Sequence, residues 1–204
     1  APDALAPLGD GPGNAALWFR DFARTDGPPV RARREKDEAP TNGRDGMLPV
    51  YPAAHPLLVE AEPWVDQARC RFYTDVWKVE GPETPVPNLQ LAMDLARSWV
   101  ARGDAAIDRE HAREDYRRAI RLGRLMLQDD VTVIQQLIGY ACIAQGLRGL
   151  NDEARREGDA AMIAATTLAF GDYTAIRFLI AQHMADLRVS DARRGGWFGP
   201  SLDI

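Results

Sequence analysis

The sequence predicts an all-α protein: an antiparallel helical-hairpin, repeat-like domain of about five helices behind a long Pro-rich, largely irregular N-terminal arm. Three observations carry this expectation. Thirteen of the 14 prolines lie at or before Pro87, the other being Pro200, and proline removes a backbone donor and disfavours helix in the residue before it. The proline-free stretch 88–199 repeats its apolar residues at helical spacing. Within it, Gly103-Asp104, Asp129-Asp130, Asn151-Asp152 and Gly171-Asp172 fall at helix-length intervals. The chain therefore divides into an extended arm (1–86), a helical-hairpin domain (87–189) and an aromatic C-terminal tail (190–204).

The arm has one local helix, near residues 14–24. Asn14 can cap it, and Ala15, Trp18, Phe19, Phe22 and Ala23 make one apolar stripe. A helix of about ten residues is not stable alone in water, so it needs its own domain, another subunit or a membrane interface to lie on. Arg31 to Asp45 is the most polar stretch and the one expected to be mobile. Trp64, Phe72, Tyr73 and Trp77 are not residues of a disordered segment. Much of 47–86 is therefore expected to wrap the helical domain, and part of 1–46 to meet a partner.

In the helical domain, Pro87 suits the first turn of a helix carrying Leu91, Leu95 and Trp99. Gly103-Asp104 is expected to break it. A second helix follows from about 105 to 128. A third, capped by Asp130, runs over 131–150 and is apolar nearly all round, as a helix in the middle of a bundle is. Asn151 is expected to cap a fourth, with Asp152 and Glu153 in its first turn. Gly171-Asp172 is expected to end it and to start a fifth, reaching about 189. Short connections make neighbours antiparallel. Beyond them, Gly195-Gly196 supplies a hinge for Trp197-Phe198, a pair that either folds back on its own core or anchors an interface.

Leu95, Ala96, Trp99 and Gly103, followed by Ala112, Tyr116 and Ala119, resemble the small–aromatic–small pattern of a tetratricopeptide-like helical hairpin repeat. The resemblance covers one degenerate repeat over residues 89–122. Four extra residues separate Gly103 from Ala112, and no proline closes the unit. It implies an α–α hairpin fold that binds proteins, and it carries no catalytic residues across.

Composition bounds the function. With 46% hydrophobic and 27% charged residues the chain is globular. Its net charge of −5 gives nucleic acid no broad basic surface. No apolar run reaches the ~20 residues that span a bilayer. A chain opening at Ala1 admits either a removed export signal or a removed initiator Met. The expectation leans to an exported, periplasmic bacterial protein, with the cytoplasm as alternative. Cys70 and Cys142 permit one disulfide without requiring it. Cys142 falls in the most apolar helix, where a thiol is unreactive.

Catalytic designs are scarce. Ser98, Ser190 and Ser201 lack a G-x-S-x-G frame, and no phosphate loop or H-E-x-x-H pattern occurs. His183 shares a face with Ile176, Leu179, Ile180 and Met184, as a packed histidine does. The alternative to an interaction protein is a metal-binding protein or enzyme centred on Asp108, His111 and Asp115. Against it, acids at the start of that helix and Arg117, Arg118, Arg121 and Arg124 towards its end simply complement the helix dipole. Pairs such as Glu114–Arg117 and Asp115–Arg118 would then lie on a solvated face. The sequence thus points to a non-catalytic protein–protein interaction or scaffold subunit, extending to an extrinsic subunit of a bacterial membrane complex. Trp18, Phe19, Phe22, Trp197 and Phe198 are its expected partner-binding residues. No cofactor, metal, nucleic acid or specific small molecule is implied.

Overall fold

The computed structural model describes residues 5–7, 13–14, 30–33, 47–66, 70–71, 89–128 and 133–172. Helices dominate them: α1 (Pro56–Asp66), α2 (Leu89–Ala105), α3 (Arg109–Met126), α4 (Val133–Glu157) and α5 (160–172). The fold is all-α. Two small strand pairings accompany it. Strand β1 (Gly13–Asn14) runs parallel to β4 (Cys70–Arg71), and β2 (Val30–Arg33) runs antiparallel to β3 (Met47–Val50) with Val30 opposite Val50. Residues 31–33, expected to be mobile, are paired here. The arm helix expected near 14–24, the fifth helix to 189 and the tail lie outside the described residues.

α2, α3 and α4 form an up-down-up unit. Arg102 meets Asp115, and Asp104 meets Tyr116, so α2 and α3 are antiparallel. Gln135 reaches the Met126 carbonyl at one end of α3 and Glu157 meets Arg113 at the other, so α3 and α4 are antiparallel too. Trp99, Tyr116, Leu95, Ile120, Leu122, Ile143 and Leu147 are fully buried between them. Where α3 crosses α4, glycine stands on both sides. A Cβ on Gly139 would lie 3.0 Å from the Gly123 carbonyl oxygen, and one on Gly123 would strike the backbone of Gly139 and Ile143. The two backbones approach more closely than any larger pair would allow.

Several expected boundaries move, each for a physical reason. Gly103-Asp104 does not break the first helix, because α2 continues through both to Ala105. Gly103 is small because the Tyr116 ring lies where its Cβ would be, 2.7 Å away. The break comes later, and Asp108 caps α3 by accepting from the Glu110 amide. Asn151 does not cap a helix either. It lies inside α4, buried, where its amide donates to Thr166 Oγ1 at 2.6 Å and accepts from Arg155 at 2.7 Å. The reversal falls at Gly158, whose φ of 71° only glycine adopts without strain. Asp159 N–H returns to the Ala154 carbonyl and Gly158 N–H to Arg155, the 6→1 and 5→2 bonds of a Schellman end. Asp159 then caps α5 through the Met162 amide. That helix persists through Gly171 and Asp172 rather than ending there.

α1 is a helix in the proline-rich part of the chain. Pro56 occupies its first position, where no amide is needed. Pro63, inside it, deprives the Val59 carbonyl of its partner, but both residues are exposed and water can reach that oxygen. His55 closes the N-terminal end, its Nδ1 accepting from the Leu57 amide at 3.3 Å while its ring lies against Tyr51. Leu57, Leu58, Ala61 and Val65 are buried against α2 and α3. Each large apolar side chain so covered contributes about 1.5–3 kcal/mol. Leu5 and Ala6 pack on the same core, with Arg124 donating to the Ala6 carbonyl.

Candidate functional site

The densest set of charges in the described chain lies where α1 covers the α2–α3 hairpin. α3 places Glu114, Asp115, Arg117, Arg118 and Arg121 within two turns. α2 adds Arg102 from its last turn, and α1 adds Glu62 and Asp66, one turn apart.

Asp115 is the centre and is completely buried. Arg102 grips both its oxygens, from Nε at 2.7 Å and Nη2 at 2.6 Å. This fork matches the carboxylate plane as a lysine could not. Arg118 donates to the same carboxylate at 2.6 Å. The outer ends of these arginines turn to α1: Arg102 to Glu62 at 2.6 Å and Arg118 to Asp66 at 2.7 Å. Arg121 bridges Asp66 at 3.2 Å and Glu114 at 2.5 Å, and Arg117 closes the chain onto Glu114 and Glu110. Glu62, Asp66, Glu114 and Asp115, with the exposed Glu110 at the edge, thus face Arg102, Arg117, Arg118 and Arg121, five carboxylates against four guanidiniums.

The surroundings shift individual groups. The hydrogen bonds it donates to Asp115 hold the Arg102 guanidinium even more firmly protonated than usual. Burial raises the Asp66 carboxyl above its ordinary range, against the pull of Arg118 and Arg121. Burial acts the same way on Glu114, but bonds from Arg121 and Arg117 outweigh it and its pKa falls. Chemically, this arrangement clamps rather than reacts. Carboxylates bound face-on by guanidiniums are poor bases, and the bonded donors of Arg102, Arg117, Arg118 and Arg121 all point at carboxylates.

The solvated face expected around Asp115 is therefore corrected. Asp115 is wholly buried and Arg121 nearly so, because α1 covers them. The Glu114–Arg117 and Asp115–Arg118 pairs form, yet inside a larger network. Asp108, His111 and Asp115 are not brought together: Asp108 caps α3, His111 is exposed and Asp115 faces Arg102 and Arg118. Among the described residues no three His, Cys, Asp or Glu side chains are grouped to hold a metal ion.

Ser98 is a bridge between segments, its hydroxyl accepting from the Tyr51 amide at 2.7 Å and donating to the Asp94 carbonyl at 2.6 Å. Cys142 is a free, fully buried thiol beside Met93 Sδ and the Ala92 carbonyl, and burial pushes its pKa up to about 12. Trp18, Phe19, Phe22, His183, Trp197 and Phe198 lie outside the described residues. Glu62 and Asp66 are the members that sequence reasoning missed. Their i,i+4 spacing on an apolar-faced helix was the available signal, hidden by Pro63.

No described helix is long and apolar enough to cross a membrane. No family model, curated protein or solved structure matches this chain.

Proposed function

We propose that the chain is a non-catalytic protein–protein interaction or scaffold subunit of a larger assembly. The observation that supports this most is the use to which its buried ionisable groups are put. The Arg102–Asp115–Arg118 cluster and its neighbours spend their bonding capacity holding α1 on the hairpin. The hairpin carries Leu95, Ala96, Trp99, Ala112, Tyr116 and Ala119 at its interface, all buried. We assign it to the tetratricopeptide-like class on that pattern, a class that presents rigid helical surfaces to other proteins. The aromatic ends of the chain, Trp18-Phe19 with Phe22 and Trp197-Phe198, are the proposed anchors. An extrinsic position on a bacterial membrane complex accords with such anchors on a chain whose described helices do not span a bilayer.

A native pull-down with mass spectrometry of co-purifying subunits tests this. The expected result is a defined set of partners, lost together when Trp18, Phe19 and Phe22, or Trp197 and Phe198, become Ala. Recovery of the chain alone, or partners indifferent to both variants, would overturn it.

A further inference from the structure

α1 meets the hairpin with two rows of side chains. Leu57, Ala61 and Val65 stand four residues apart in one row, and Leu58, Glu62 and Asp66 in the next. The apolar members are all buried. Glu62 lies on Arg102 at 2.6 Å, and Asp66 on Arg118 at 2.6 Å and Arg121 at 3.2 Å. The seat beneath is charged in its own right. Among the described residues, with α1 set aside, Arg102, Arg117, Arg118 and Arg121 are left with Asp115, Glu114 and Glu110, four guanidiniums against three carboxylates. A helix that covers them must bring acid, and must bring it at positions one turn apart.

α1 itself fills that seat imperfectly. It has 11 residues, too few to hold a helix in water alone. Pro63 removes one of its backbone bonds. It has no acid in its first turn and no base in its last, where Asp66 instead sets a negative charge against the dipole. Burial adds to this by raising the Asp66 carboxyl above its ordinary range. No short turn ties α1 to α2: residues 67–88 lie between them, against residues 106–108 between α2 and α3. None of these features is needed to seat α1. Each weakens its hold relative to a longer, uninterrupted helix with the same two rows.

We propose that α1 is an internal ligand, and that its seat on α2 and α3 is an interaction surface for an acidic amphipathic helix of a partner protein, which takes the place of α1. The partner's helix carries an apolar row at i, i+4 and i+8, and carboxylates at the positions that Glu62 and Asp66 hold in α1. Those carboxylates meet the guanidiniums that α1 gives up, so the exchange leaves no buried charge unpaired. The proposal rests on the reading of the chain as an interaction subunit, but it names a surface other than the aromatic ends.

Peptide competition on the full chain tests it. A tethered segment has an effective concentration on the order of millimolar, so fluorescein-labelled peptides of residues 51–66 are titrated with the chain to that level and read by anisotropy. The native peptide should half-saturate near that concentration, and a Pro63→Ala peptide about tenfold or more below it. A peptide carrying Glu62→Lys and Asp66→Lys should not bind. Hydrogen exchange of the complex should show α1 amides losing protection while those of α3 and α4 keep theirs. Absence of saturable binding by the Pro63→Ala peptide, equal binding of the charge-reversed one, or α1 amides still protected in the complex would overturn the proposal. So would a dimer that grows with chain concentration in the absence of peptide, which gives the seat to a second copy's α1. Partners still recovered in the pull-down after such a failure would leave the interaction reading standing.

Discussion

α3 solves two packing problems on two of its faces, and the solutions differ in kind. Towards α4 it is dry and close: Gly123, Ala119, Ile120 and Tyr116 meet Gly139, Ile143, Gly146 and Gly149. Towards α1 and α2 it is charged, and Asp115, Arg118 and Arg121 are held by Arg102, Glu62 and Asp66. The dry face relies on volume. Its tolerance is a fraction of an ångström, because backbone and ring atoms cannot move aside. The charged face relies on mutual satisfaction, in which each group is stable in low dielectric only while its partners are present. One teaches that a helix can be specified by what it lacks, the other that a charged sequence need not lie in water.

Breaking the charged face should have the largest effect. Asp115→Ala leaves Arg102 and Arg118 buried without their central acceptor. A loss of about 3–5 kcal/mol is expected, read as the fall in urea midpoint. Replacing Asp115 together with both arginines by apolar residues should recover much of it, since an apolar seam is often no less stable than an ionic one. Survival of Asp115→Ala with an unchanged midpoint would show that the seam is hydrated.

The dry face comes next. Gly123→Ala should cost about 1–3 kcal/mol, because the added methyl meets the Gly139 and Ile143 backbone. Gly171→Ala, with open space around its Cβ position, should stabilise by about 0.5–1 kcal/mol through helix propensity. Thermal melts of the two variants decide whether glycine matters through volume or through backbone freedom, since only the first predicts opposite signs.

Alkaline titration probes the interior of the dry side more gently. The Cys142 pKa rises from its ordinary value of 9.0 to about 12 by burial. A raised folded pKa means that its contribution is whole below the unfolded value and is lost as pH climbs through the interval. Stability should therefore decline between pH 9 and 12, and Cys142→Ala should flatten that decline. Tyr116, raised by burial and by Asp104, adds a decline of the same sign above pH 10. In the native protein Cys142 should also resist a maleimide until denaturant is added.

The smallest effect belongs to the rim of the charged face. Glu110→Gln removes the outermost bond to Arg117 on a side chain that is 70% exposed. A change below about 1 kcal/mol, erased by salt, is expected from chemical denaturation. A loss as large as that of Asp115→Ala would mean that the network acts as one unit out to its edge.

The helical class, the short connections and the inert buried cysteine were legible because periodicity, proline placement and apolar surroundings are local properties. The hairpin residues Trp99, Ala112, Tyr116 and Ala119 were legible for the same reason, being small or aromatic at helical spacing. The candidate site was only half legible. Arg117, Arg118 and Arg121 stood out, yet nothing local says that a helix from the proline-rich part of the chain will cover them. Asn151 misled because its preference for a helix start is local, whereas its partner Thr166 is fifteen residues away.

By itself the sequence determined that these segments are helices, since apolar periodicity and the placement of proline are local properties. Only the tertiary structure decided where the chain reverses after α4: at Gly158, which the sequence reading did not single out, rather than at Asn151, because Asn151 is satisfied inside α4. It alone decided that Asp115 is a buried hub rather than a surface charge. A carboxylate's environment is set by what packs over it, and here that is α1, from nearly fifty residues earlier in the chain.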